Sequence, residues 1–129
     1  MPEIGPEIHF VMVRSAYPSN MGGAARAIMT MGFDKLRFVS PEQDPATERA
    51  QKCARAAAPL LEASLRFDSL EEATADLDLS IATTTRARHH RRQLWDVRDL
   101  SEAIIRPDVE KIGIVFGPER TGLSLSLIH

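Results

Sequence analysis

Short β-branched and apolar runs alternate with segments of helical spacing along nearly the whole chain, and this alternation restricts the fold more than any other feature of the sequence. Glu7 to Val13 reads as a strand, and Pro18 in the following Arg14 to Ser19 stretch forbids a continued ladder. From Met21 to Met31 small and apolar residues recur at helical spacing, with Asn20 as N-cap and Gly32 as the C-terminal stop. Lys35 to Ser40 is a second strand, closed by Pro41, and Pro45 to Ala57 is an alanine-rich helix with Pro45 in its first turn. Ser64 to Phe67 is a short third strand, Ser69 and Glu72 form a capping box over a helix to about Ala75, and Leu77 to Thr84 is a fourth strand. Beyond a polar connection, Val97 to Ile105 has a helical pattern, and Ile112 to Phe116 is an almost wholly apolar run of the kind buried on both faces. Strands and helices alternating at this spacing predict an α/β fold with a parallel sheet covered by helices on both faces. Ligands in such sheets bind outside the carboxyl ends of the strands. That rule singles out three post-strand loops: Arg14 to Gly23, Thr84 to Trp95 and Gly117 to Leu123.

With 129 residues, 43% of them hydrophobic and 26% charged, the chain supports one domain over residues 1–129 and is too short for two. No apolar stretch approaches the roughly 20 residues that a spanning helix requires. Met1 to Glu7 carries acids and prolines where a secretory signal would place a basic stretch and an apolar run, so a soluble, cytoplasmic protein is expected. The single cysteine, Cys53, lies in an alanine-rich helical pattern and reads as a small buried hydrophobe. The formal net charge of −2 argues against binding a polyanion through the overall field, so any such contact must be local. Charge is uneven: Arg86, Arg88, His89, His90, Arg91 and Arg92 are crowded together, just after Glu71, Glu72, Asp76 and Asp78.

The first loop places Gly22 and Gly23 at a helix start, where backbone N–H groups and the positive helix end favour an anion. Arg26, about one and a half turns into the helix that Asn20 caps, adds a guanidinium suited to phosphate. The plainer alternative is a structural helix start whose arginine faces water. The third loop has Gly117 and Gly122 five apart but Leu123 where a phosphate loop requires lysine, so the β/γ-phosphate ligand of a nucleotide-binding protein is missing. Nor does Gly22-Gly23 match the dinucleotide fingerprint G-x-G-x-x-G. In the middle loop, threonines at a strand end can present hydroxyl and backbone groups to a ligand, and the arginines after them either hold an RNA backbone or form a solvated surface. His89 and His90 are adjacent and lack spaced partners, which makes a poor metal site.

Together, the Asn20 to Arg26 segment, Thr83 to Arg86 and Phe116-Gly117-Pro118-Glu119-Arg120-Thr121-Gly122-Leu123 resemble the ordered signature of the SpoU (TrmH) family of SPOUT RNA methyltransferases, above all its TrmJ-like branch, over nearly the entire chain. The resemblance implies a Rossmann-like parallel sheet of the α/β-knot type. It also implies transfer of a methyl group from S-adenosylmethionine to a ribose 2'-hydroxyl of RNA, in this branch of the tRNA anticodon loop, without a metal and as a homodimer. Carried over by residue, it makes Arg26 the catalytic arginine, with Asn20 ordering the loop and substrate around it. Thr83, Thr84 and Thr85 match a strand-end turn that contacts the methyl donor, and Gly117, Glu119, Gly122 and Leu123 match the motif bordering the adenosine pocket. Arg86, Arg88, Arg91 and Arg92 are then the RNA-binding candidates. Guanidinium keeps its proton at neutral pH, so Arg26 is expected to position phosphate or ribose and to stabilise developing oxyanion charge.

The chain departs from the family pattern at its end. After Leu123 it runs Ser124-Leu125-Ser126-Leu127-Ile128-His129, without the third motif that closes the donor pocket and completes the knot, so weak donor binding and poor turnover are expected. A second reading, in which the fold is kept as a catalytically silent RNA-binding or dimerisation module, is separated from the first by methyl transfer.

Overall fold

In the computed structural model, which describes residues 6–83 and 109–117, the run Glu7–Val13 forms the central strand β1. The other strands are β2 (Leu36–Val39), β3 (Leu65–Phe67), β4 (Leu79–Ala82) and β5 (Lys111–Phe116). Their order is β3-β2-β1-β5-β4, and every neighbouring pair is parallel. Helix α1 (Pro18–Thr30) joins β1 to β2, α2 (Glu48–Ala54) and α3 (Ala58–Ala63) join β2 to β3, and α4 (Leu70–Thr74) joins β3 to β4. The chain thus moves outward from β1 to one edge, crosses to the other edge, and returns to β5 beside β1. The reversal between β1 and β5 is where a doubly wound sheet opens a ligand crevice.

Alternation along the strands builds two cores, one on each face. Ile8 and Phe10 of β1, Leu36 and Phe38 of β2 and Ile112 of β5 pack with Met21, Ala25 and Ile28 of α1 and Ala50, Ala54, Leu60 and Leu61 of α2 and α3. On the opposite face Val11, Val13, Val39 and Val115 pack with Leu70 and Ala73 of α4. Val11, Phe38 and Ile112 are completely buried, as the two-sided burial of a parallel sheet requires.

The element pattern holds, and several boundaries move for physical reasons. α1 begins at Pro18, with Tyr17 as its N-cap and Asn20 inside the first turn, where its backbone N–H donates to the Tyr17 carbonyl at 3.0 Å. Proline's fixed φ and missing donor suit the first helical position, so Pro18 opens the helix as well as ending the strand. Gly32 stops it as expected: φ is +88°, its N–H donates to Met29 O and that of Phe33 to Ile28 O, a Schellman closure. The second helix starts at Glu48, after buried Pro45, because Thr47 caps it by accepting from the Ala50 N–H at 3.2 Å. Helical structure then continues past Ala57, but broken. Pro59 has no N–H to give the Arg55 carbonyl, which instead accepts from Ala58 in a 3-10 turn over Arg55–Ala57 before α3. The capping box is present in part, since the Ser69 hydroxyl oxygen accepts from the Glu72 N–H at 3.1 Å. β4 is shorter than its apolar run and begins after Asp78, whose carboxylate accepts from the N–H groups of Glu110 and Lys111, both at 2.9 Å. The Val97 to Ile105 helix lies outside the described residues.

Candidate active site

Strand register fixes which residues meet at the carboxyl edge. Val13 pairs with Val39, Met12 with Phe116 and Ala82 with Val115, so Ser40, Arg14, Gly117 and Thr83 follow one another across the ends of β2, β1, β5 and β4. Thr83 is exposed and held by two hydrogen bonds to one acceptor: its N–H donates to Val115 O at 2.9 Å and its hydroxyl to the same oxygen at 3.0 Å. The hydroxyl expected to meet a ligand therefore clamps β4 to β5, leaving the threonine's exposed surface facing the edge. Gly117 is half-buried beside it. The ends of β4 and β5 thus present Thr83 and Gly117 beside the exposed Phe116. Thr84, Thr85, Glu119, Gly122 and Leu123 lie outside the described residues, as do Arg86, Arg88, Arg91 and Arg92.

Arg26 is exposed on α1 and makes no ion pair with any described residue. Because the helix starts at Pro18, Arg26 stands about two turns and roughly 12 Å from that start. The positive helix end acts only within the first turn, so it does not reinforce Arg26 as the sequence spacing suggested. Asn20 is also exposed, but six positions on a helix amount to about 120° of rotation, so α1 does not bring Asn20 and Arg26 onto one face. Gly22 is not an open approach for a ligand either. It is buried, and a Cβ placed there would lie 2.5 Å from Cys53 Cβ, 2.6 Å from Ala54 N and 2.7 Å from Ala50 O. Its role is to let α1 and α2 touch, and Cys53 packs half-buried at that contact. Gly23, exposed with nothing within 4 Å of such a Cβ, is the open one.

Sequence reasoning passed over the charges inside the sheet. Arg37 of β2 is only 3% exposed, and its guanidinium donates to the Ala73 carbonyl at 2.7 Å and to both carboxylate oxygens of Asp76 at 2.6 and 2.9 Å. These hydrogen bonds pull the Asp76 carboxyl down to about 2. His9, on the same face of β1, is buried with Nε2 against the Glu7 carboxylate at 2.5 Å. Burial, followed by the positive charge of Arg37, holds its imidazole below the ordinary value although Glu7 opposes both. This network is remote from the carboxyl edge, since Glu7 and His9 lie in the first half of β1. The signal that could have revealed it is the arginine inside an otherwise apolar Leu36–Val39 run. Among the described residues no cluster of three or more His, Cys, Asp or Glu side chains is placed to hold a metal, and no helix is long and apolar enough to cross a membrane.

A parallel sheet of this order, covered by helices on both faces, defines a doubly wound α/β protein. Comparison with known proteins identifies the family. The SpoU rRNA methylase family profile matches residues 7–129, and the chain belongs to that family. It is 35% identical over 117 residues to an uncharacterised tRNA/rRNA methyltransferase of Haemophilus influenzae, covering 91% of this chain and 47% of that protein. It is 33% identical over 120 residues to the tRNA (cytidine/uridine/adenosine-2'-O-)-methyltransferase TrmJ of Pseudomonas aeruginosa, covering 91% of this chain and 46% of that one. The chain thus spans about half the length of these curated relatives. Among solved structures, a probable methyltransferase from Bordetella pertussis superposes with a TM-score of 0.86 at 36% identity, covering 95% of this chain and 76% of that chain. TrmJ from Zymomonas mobilis (Z. mobilis ZM4) superposes with a TM-score of 0.83 at 32% identity, covering 95% and 54%. These likenesses place the fold among SPOUT methyltransferases.

Proposed function

We propose that the chain is an S-adenosylmethionine-dependent RNA 2'-O-ribose methyltransferase domain acting on tRNA, in the cytoplasm and as a homodimer. What supports this reading is the match to the SpoU rRNA methylase family over residues 7–129, together with an exposed Arg26 that pairs with no described carboxylate. Bound S-adenosylmethionine supplies an electrophilic methyl group. Thr83, Thr84, Thr85, Gly117, Glu119, Gly122 and Leu123 would hold it. Arg26 positions the ribose and its flanking phosphate and stabilises negative charge developing on the 2'-oxygen, and Asn20 contributes to ordering the RNA. Arg86, Arg88, Arg91 and Arg92 contact RNA phosphates. Orientation supplies much of the acceleration in such a displacement, because a well-aligned attack can gain about 7–11 kcal/mol over the bimolecular reaction.

The homodimer is part of the same proposal. α1 runs away from the carboxyl edge, so Arg26 sits roughly 12 Å along the helix from its start. A second copy that presents Arg26 to the donor edge of the first completes a site that one chain spreads apart. The test is transfer of labelled methyl from S-adenosylmethionine to tRNA, with ribose methylation located by resistance to alkaline cleavage. Label on a ribose 2'-oxygen, abolished by Arg26→Ala with donor binding intact, supports the reading. Tight tRNA binding with no transfer refutes it in favour of a silent RNA-binding module.

A further inference from the structure

We infer that the loop between β1 and α1 is an RNA-contacting element in which Arg14 holds a phosphate and Tyr17 stacks on an unpaired base. This rests on the RNA reading above and adds two residues that lie before the motif segment beginning at Asn20. Arg14 stands at the centre of the carboxyl edge, between Ser40 at the end of β2 and Gly117 at the end of β5. Its position at the reversal of the sheet is where folds of this kind bind their ligands.

Arg14 adopts φ of 49°, in the left-handed region that glycine or asparagine would occupy with less strain. The turn itself asks only for a backbone N–H, which donates to Val39 O at 2.8 Å, and any residue except proline provides that. The guanidinium is exposed and pairs with no described carboxylate, in contrast to Arg37, Lys52, Arg66 and Lys111, each of which has an acidic partner. A strained backbone at the strand ends carrying a charge with no acidic partner among the described residues points to function in the side chain. Three residues on, Tyr17 is 36% exposed at the start of α1. A cation and an exposed aromatic on one short loop match single-stranded RNA, whose bases stack on aromatic faces while phosphates meet arginine. A duplex keeps its bases stacked on each other and offers Tyr17 nothing.

The test measures binding of tRNA, of a single-stranded oligoribonucleotide and of an RNA duplex to the 129-residue chain across a salt series, for the parent, Arg14→Gln, Arg14→Gly and Tyr17→Leu. Loss of one phosphate contact lowers the slope of log affinity against log salt by about 0.7 for a single strand. Arg14→Gly is expected to show that loss together with a melting temperature at or above the parent's, a combination that a purely structural arginine does not give. Tyr17→Leu is expected to weaken single-strand binding about ten-fold and to leave duplex binding alone. An unchanged slope in both Arg14 variants overturns the phosphate assignment, and unchanged single-strand affinity in a folded Tyr17→Leu overturns the stacking assignment. If Arg14→Gln weakens S-adenosylmethionine binding with RNA binding intact, the anion is the donor's carboxylate and the inference is wrong. A parent that binds no RNA overturns this inference and the proposed function together, whereas a parent that binds, with variants that match it, overturns this inference alone.

Discussion

Substituting alanine for the two adjacent glycines of α1 should move stability in opposite directions. Helix propensity alone favours alanine over glycine by about 1 kcal/mol at either position. At Gly23 nothing lies within 4 Å of the added methyl, so that gain is realised. At Gly22 the methyl meets Cys53 Cβ at 2.5 Å, Ala54 N at 2.6 Å and Ala50 O at 2.7 Å, and two of these three are backbone atoms of α2 that cannot rotate aside. Overpacking of this kind costs about 1–3 kcal/mol, and immovable neighbours place it near 3. The net expectation is a loss of about 2 kcal/mol for Gly22→Ala against a gain of about 1 for Gly23→Ala. At about 4 °C per kcal/mol for a domain of this size, that separates the two melting temperatures by roughly 12 °C. Thermal and urea unfolding followed by circular dichroism reads both. A Gly22→Ala chain as stable as Gly23→Ala would show that α1 and α2 do not pack through Gly22.

Arg37→Met should lower stability by about 2–3 kcal/mol in urea unfolding, because Ala73 O loses its donor and Asp76 its buried partner, moderated by the half-exposed Asp76 taking up water. Asp76 is ionised at lower pH in the folded chain (about 2) than its ordinary 3.8, so its contribution is complete above about pH 4 and disappears as pH falls toward 2. Solvent screening of a half-exposed carboxylate leaves about 1 kcal/mol for this effect, which Asp76→Asn should remove from the acid limb of a pH–stability curve. His9 is also held below its ordinary 6.5, so the unfolded chain takes up the proton first and stability declines as pH falls below 6.5. His9→Leu should flatten the curve in that window, and an unchanged slope there would assign the loss to another group. Arg26→Lys should keep RNA binding while reducing methyl transfer by at least ten-fold, since an ammonium cannot reproduce a bidentate fork; equal turnover would make Arg26 a simple point charge.

The sheet was legible because its strands announce themselves twice, by β-branched composition and by the breaks between them. Glu7–Val13 is recovered residue for residue, and Ile112–Phe116 differs only by Lys111 at its start. Helix starts were harder, since Pro18 and Asn20 are both good N-terminal signals and only tertiary context selects between them. The same ambiguity misread the glycines: close approach to a ligand and close approach to another helix ask for the same missing side chain, and Gly22 serves the second. Acidic residues before the basic run looked like a charge block, yet Asp76 neutralises a buried arginine and Asp78 ties β5 to β4. No local pattern encodes a partner 39 positions away, as Arg37 and Asp76 are. The family resemblance rests on motif order along the chain and so survives these errors of local detail.

The glycine that joins α1 to α2 also bears on the proposed chemistry. Gly22 and Arg26 are four positions apart, so they stand about 40° from each other around the helix axis and one turn apart along it. Gly22, Ala25 and Ile28 define the buried arc of α1, and Arg26 emerges just beyond its edge on the side of α2. Any displacement of α1 from α2 therefore carries the guanidinium with it, and a shift of about 1 Å at a positioning group costs on the order of a hundred-fold in rate. Gly22→Ala should consequently impair methyl transfer far more than its loss of folded population explains at a temperature where the chain remains native, while Gly23→Ala leaves transfer close to the parent's. If Gly22→Ala loses stability but keeps full turnover at that temperature, Arg26 is positioned by something other than the α1–α2 contact, as the proposed second copy would do.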